Sequence, residues 1–151
     1  MGIVVQECLQ YFGIQSDHIA IRTAYQGMQY YDDMIENSAG IEVHGLEYLE
    51  DRLESEHRLL LVDDVFSSGH SIQAVKETLR RKLRRNMPED IRVGAVWYRS
   101  VAGRPAPDYF VNETDRWLVL PYEFSGLSLD DIRNHKSWAA PLLETISLSR
   151  T

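Results

Sequence analysis

A single cysteine in 151 residues leaves no partner for an intramolecular disulfide and no basis for a cysteine-ligated metal cluster. Cys8 is expected to pack as a small hydrophobe on a helix face, in keeping with a reducing cytoplasm. Positive charge is also short. The chain has 16 Lys and Arg against 23 Asp and Glu, and a net charge of −7 argues against a general nucleic-acid binder. One run opposes that balance: Arg80, Arg81, Lys82, Arg84 and Arg85. It lies on a helical pattern whose apolar stripe is Ile72, Val75, Leu79 and Leu83, so it reads as the solvated face of a helix near its C-terminus. No apolar stretch approaches the roughly 20 residues of a membrane span. The first residues lack the basic region and long apolar core of a secretory signal, so a cytoplasmic location without a membrane partner is expected. Repeats, low-complexity tracts and interdomain linkers are missing too. What is present, 44% hydrophobic and 26% charged residues, is the balance of a soluble globular protein. The length suits a single domain over 1–151, able to bury roughly two thirds of its unfolded surface.

Along the chain, residues 3–12 have the pattern of an amphipathic helix ended by Gly13. A strand is predicted over 18–23, then a polar, aromatic loop containing Tyr25, Gly27, Tyr30, Tyr31 and Asp32. A short extended stretch at 41–44 precedes a turn with Gly45 as its breaker. A strand at 58–62, a helix at 71–86 closed by Asn86 and Pro88, and strands at 91–98 and 117–120 follow. Strands alternating with helices predict an α/β fold with a mostly parallel, Rossmann-like sheet flanked by helices. Ligands of such sheets bind outside the carboxyl ends of the strands, where Asp63, Asp64, Arg99 and the residues after Leu120 fall. Residues 124–151 read as a C-terminal extension. The helical spacing of Leu129–Ile132 and Trp138–Leu142 suits packing on the body or a partner subunit, with His135 and Lys136 facing solvent.

The most informative segment is Leu59-Leu60-Leu61-Val62-Asp63-Asp64-Val65-Phe66-Ser67-Ser68-Gly69-His70-Ser71. Four apolar residues read as a strand buried on both faces. Two adjacent carboxylates stand at its carboxyl end, and a small hydroxyl-rich loop then opens a helix. A loop and helix N-terminus offer backbone N–H groups to a phosphate, and carboxylates accept hydrogen bonds from sugar hydroxyls. These thirteen residues resemble the ribose-phosphate-binding signature of the type I phosphoribosyltransferases, with Ser68-Gly69-His70-Ser71 in the place of its Ser/Thr-Gly-x-Ser/Thr end. The resemblance spans roughly residues 2–136. It implies that Asp63 and Asp64 hold the ribose at the catalytic centre and that Ser67, Ser68, Gly69, His70 and Ser71 bind the 5-phosphate.

A second, weaker likeness lies in Pro107-Asp108-Tyr109-Phe110-Val111 and Trp117-Leu118-Val119-Leu120-Pro121-Tyr122-Glu123. It resembles the base-binding half of small prokaryotic 6-oxopurine (hypoxanthine, guanine or xanthine) phosphoribosyltransferases. By that resemblance Trp117 stacks on the purine, the backbone at Leu118 reads the base edge, Arg99 contacts the exocyclic oxygen in place of the usual lysine, and Glu123 lies near a metal. The residue types fit: an indole supplies a stacking platform, and a guanidinium offers donors in a fixed fork. Equally, Trp117 suits a core position at a strand start, Arg99 a surface charge at a strand end, and Glu123 a solvated acid. Tyr25, Tyr30 and Tyr31 occupy the place of the family's mobile flap, or form a surface loop with partly packed aromatics.

The resemblance implies transfer of a 5-phosphoribosyl group from phosphoribosyl pyrophosphate to a purine base, with Mg²⁺ as cofactor and a homodimer or homotetramer as the assembly. Two departures stand out. Ser67 replaces an aspartate that handles the purine proton in most 6-oxopurine members, and serine is no carboxylate base. Set against the family, Met1-Gly2 fall where the pyrophosphate loop should end, so the usual leading helix, first strand and most of that loop are expected to be missing from this sequence. A rival follows from both: a non-catalytic, nucleotide- or phosphoribosyl pyrophosphate-binding regulatory protein of the same fold.

Overall fold

A computed structural model describes residues 1–25, 41–100, 103–124, 127–139 and 141. Its elements are α1 (Gly2–Tyr11), β1 (Arg22–Tyr25), β2 (Ile41–His44), α2 (Glu47–Glu50), β3 (Arg58–Phe66), α3 (His70–Leu83) with a following 3₁₀ turn (Arg84–Asn86), β4 (Asp90–Arg99), β5 (Tyr109–Thr114) and α4 (Leu129–His135). Two compact units divide the chain, Met1–Arg116 and Trp117–Thr151. No helix among the described residues is long and apolar enough to cross a membrane.

The first unit is built on a parallel sheet in the order β3-β4-β5, as the alternating pattern predicts for an α/β fold. Its core forms where one face of β3 and β4 meets the apolar stripe of α3. Leu61, Val93 and Ala95 from the strands are buried with Val75, Leu79 and Leu83 from the helix. Each such aliphatic side chain removed from water is worth about 1.5–3 kcal/mol. Arg80, Arg81, Lys82, Arg84 and Arg85 are exposed on the opposite side, and Lys82 pairs with Glu50.

β1 and β2 form a separate antiparallel pair that seats two further leucines in this core. Gly45 makes the turn at φ +86°, and a Cβ there would stand 2.9 Å from the carbonyl oxygen of Ala20, so only glycine fits. Beyond it Leu46 and Leu49 are buried. The same turn explains why the expected strand at 18–23 begins only at Arg22: its register partner, His44, is the last residue before the turn, so residues 18–21 have nothing to pair with. In α1 no residue is buried, and Cys8 is exposed rather than packed, because the helix sets no face into the core.

Three other expectations are corrected. β3 does not stop at Val62. Its pairing continues through Asp63↔Ala95 and Val65↔Trp97 to Phe66↔Tyr98, which puts the two carboxylates inside the strand rather than beyond its end. β5 is an additional strand, anchored where it begins: Asp108 Oδ2 accepts the Val93 N–H at 2.8 Å and its Oδ1 accepts from Arg92 at 3.2 Å. The Val93 bond, more than Arg92, holds the Asp108 carboxyl below its ordinary range. Residues 117–120, in contrast, form no strand. The Leu120 N–H goes to Glu123 Oε2 at 3.2 Å and its carbonyl accepts from Lys136 Nζ, so the polar groups a strand would offer a neighbour are used locally.

The second unit owes its order to a charge placed inside. Ser128 and Asp131 form a reciprocal capping box at the start of α4. Lys136, just past the helix, is 4% exposed and therefore does not face solvent as expected. Its ammonium donates to the carbonyls of Leu120, Pro121 and Glu123 and lies 4.9 Å from the Phe124 ring centre. Charge-assisted bonds to three carbonyls offset the cost of burying the amine. His135 is exposed.

Candidate functional site

Two neighbouring carboxylates come to the carboxyl end of the sheet because β3 carries them there. Asp63 Oδ1 accepts the N–H of Asp64 at 3.0 Å, and Asp64 Oδ1 accepts the N–H of Val65 at 2.8 Å. Each side chain is thus folded against the backbone that follows it. Burial, and next the charge of Asp64, push the Asp63 carboxyl up to about 6. Two like charges held side by side, one of them poorly hydrated, make the proton harder to remove.

Phe66 ends the strand, and the chain turns through 67–69 into α3. Gly69 sits at φ +77°, and a Cβ there would stand 2.9 Å from Phe66 Cζ. The glycine therefore allows the loop to fold back over the Phe66 ring. Gly69 is also the N-cap of α3; it makes no side-chain cap, and the first turn contains no acidic residue. The positive end of its dipole thus faces no built-in carboxylate, an arrangement that favours an anion. Ser68 Oγ accepts only a long bond, 3.4 Å, from the His70 N–H.

Beside Asp63 and this turn lies a cavity of about 70 Å³, lined by Asp63, Val65, Phe66 and residues 67–72. Its lining, with one carboxylate, three hydroxyls and an imidazole, suits a compact polar group. The structure thus brings Asp63 together with all five expected phosphate-loop residues, Ser67, Ser68, Gly69, His70 and Ser71. Arg99 is the last residue of β4 and is half-buried. The register sets it one residue beyond Tyr98, the partner of Phe66, at the same end of the sheet.

Arg104, unanticipated by the sequence reading, also reaches this corner. Its Nη1 donates to His70 Nε2 at 2.9 Å across 34 residues of sequence. Nothing local marks such a contact.

Of the remaining candidates, Trp117, Leu118 and Glu123 belong to the second unit. Trp117 is 51% exposed, so it is not a core tryptophan, and Leu118 is partly buried. The Glu123 carboxylate closes the turn onto Leu120. Tyr25 is the last residue of β1, while Tyr30 and Tyr31 lie outside the described residues. Among the described residues no group of three or more His, Cys, Asp or Glu is arranged to hold a metal.

Against solved structures, the chain is similar to a purine phosphoribosyltransferase from Pyrococcus horikoshii, at 19% identity and a TM-score of 0.51 over 83% of this chain and 71% of that one. It is also similar to the Helicobacter pylori xanthine-guanine-hypoxanthine phosphoribosyltransferase, at 19% identity and a TM-score of 0.53 over 89% and 74%. The chain has the phosphoribosyltransferase fold. No protein-family model and no curated protein matches the sequence. Within this phosphoribosyltransferase fold, the strand, acidic pair, loop and helix start read from residues 59–71 are realised in that order at the β3–α3 junction.

Proposed function

We propose that the chain binds a 5-phosphoribosyl donor at the β3–α3 junction and transfers its sugar phosphate to a 6-oxopurine base, giving a nucleoside monophosphate and pyrophosphate. One observation carries the reading: a single cavity is lined both by the Asp63 carboxylate and by the small loop and first turn of α3, whose start contains no acidic residue. A phosphate accepts from the N–H groups of that turn. The ribose hydroxyls then donate to Asp63 and Asp64, whose charge complements the positive charge that develops on the sugar carbon as pyrophosphate departs. With its carboxyl titrating near 6, Asp63 is ionised above neutrality. The purine phosphoribosyltransferases of the same fold support this choice of reaction.

Mg²⁺ suits the acidic pair. The ion is commonly held by one or two carboxylates together with substrate phosphates and waters, and two adjacent carboxylates whose mutual repulsion raises one of them carry charge to neutralise. Held by Asp63 and Asp64, it would offset the charge of the departing diphosphate. Arg99 is the proposed donor to the purine oxygen, Trp117 its stacking platform and Leu118 its edge reader, all three by sequence resemblance.

Ser67 favours a second reading, binding without turnover, because a hydroxyl lines the cavity where a carboxylate base is usual. Calorimetric titration with phosphoribosyl pyrophosphate and Mg²⁺, paired with an assay of nucleotide formation from hypoxanthine, guanine and xanthine, separates the two. Binding with turnover that Asp64→Asn strongly reduces, at unchanged fold, supports the transferase. Binding without turnover supports the regulatory protein, and no binding removes both.

A further inference from the structure

We propose that Arg104 is a phosphate-binding residue of this site, a cation brought from the β4–β5 connection to the first turn of α3. The inference rests on the phosphoribosyl reading above. A phosphate monoester brings close to two negative charges at neutral pH, and the cavity it would enter has Asp63 in its wall and no Lys or Arg among its lining residues. The helix dipole supplies only about half a positive charge. The charge deficit has to be met from outside the β3–α3 segment.

Arg104 is placed to meet it. Its Nη1 lies 2.9 Å from Nε2 of His70, the first residue of α3 and part of the cavity lining. An arginine only donates, so His70 accepts through Nε2 and carries its ring proton on Nδ1. The imidazole thereby holds the guanidinium against a residue that lines the cavity. The planar guanidinium fork is the group best matched to two phosphate oxygens. Arg104 is exposed, so its side chain can shift from the ring to a bound phosphate without disturbing the core.

The test is titration of ribose 5-phosphate into the wild-type chain, Arg104→Gln and Arg104→Lys, at low salt and again at tenfold higher ionic strength. Arg104→Gln is expected to weaken binding roughly tenfold at low salt. Arg104→Lys should recover part of the loss, and the difference between wild type and Arg104→Gln should shrink at high salt, as screening of a charge contact requires. Unchanged melting curves would show that the fold is intact. Equal affinities of wild type and Arg104→Gln overturn the role of Arg104 while the phosphate-loop reading stands. Failure of the wild-type chain to bind ribose 5-phosphate overturns that reading itself, and this inference with it.

Discussion

Asp63→Asn is the sharpest perturbation of the site because it should improve the fold while damaging the function. The carboxyl of Asp63 is raised from the ordinary 3.8 to about 6, chiefly by burial and then by the charge of Asp64. Below pH ~3.8 the group is protonated in both folded and unfolded chains and costs nothing. As pH rises, the unfolded chain loses its proton first, so the folded state is penalised progressively until both are ionised above about 6. At about 1.36 kcal/mol per pH unit, the penalty reaches roughly 3 kcal/mol at pH 7.5 and only about 1 kcal/mol at pH 4.5. Asparagine keeps the Oδ1 that accepts the Asp64 N–H and removes the charge. Asp63→Asn should therefore be more stable than wild type by up to about 3 kcal/mol at pH 7.5, or roughly 6–12 °C in Tm for a chain of this size. The advantage should fall to about a third at pH 4.5. Urea denaturation of both proteins across pH 4–8 measures this, and titrating groups remote from Asp63 and Asp64 cancel in the comparison. Parallel stability curves would refute the burial and charge coupling inferred for Asp63. At pH 7.5 the same variant should bind phosphoribosyl pyrophosphate more weakly, since a carboxylate retained at such a cost to folding is expected to repay it in ligand binding.

Two further substitutions probe the supports of each unit. Gly69→Ala places a Cβ at φ +77° and against the Phe66 ring, and should destabilise the fold by about 1–2 kcal/mol. It should also weaken ribose 5-phosphate binding, and a titration indistinguishable from wild type would count against the loop as the phosphate cradle. Lys136→Met strands the carbonyls of Leu120, Pro121 and Glu123 and should loosen residues 117–139 by about 3 kcal/mol. Faster amide hydrogen exchange confined to that segment is the expected signature, and unchanged protection would deny the buried ammonium its structural role.

Much of the first unit could be read directly from the chain because its signals are local. The apolar run at 59–62, the stripe Ile72-Val75-Leu79-Leu83 and the small loop between them specify a strand, a helix and their junction with little help from elsewhere. Gly45 and Gly69 mark turns at positive φ where a Cβ would be strained and would crowd Ala20 or Phe66. Thus the acidic pair and the small loop that follows it were legible before any coordinates. Tertiary structure decided what depends on distant partners. β3 runs on to Phe66 because β4 supplies pairing as far as Tyr98, and β5 exists because Asp108 pins its start to Val93. The β-rich composition of 117–120 loses to Glu123 and Lys136, which take up the polar groups of Leu120. Lys136 is inside and Cys8 outside, against the usual tendency of each residue type, because three carbonyls converge on the amine while α1 offers the core no face. Arg104 meets His70 only when the sheet has brought two loops to the same end. Backbone conformation and hydrophobic period are properties of neighbours in sequence. Pairing, charge burial and the approach of a remote cation are properties of neighbours in space, and these only the folded chain could settle.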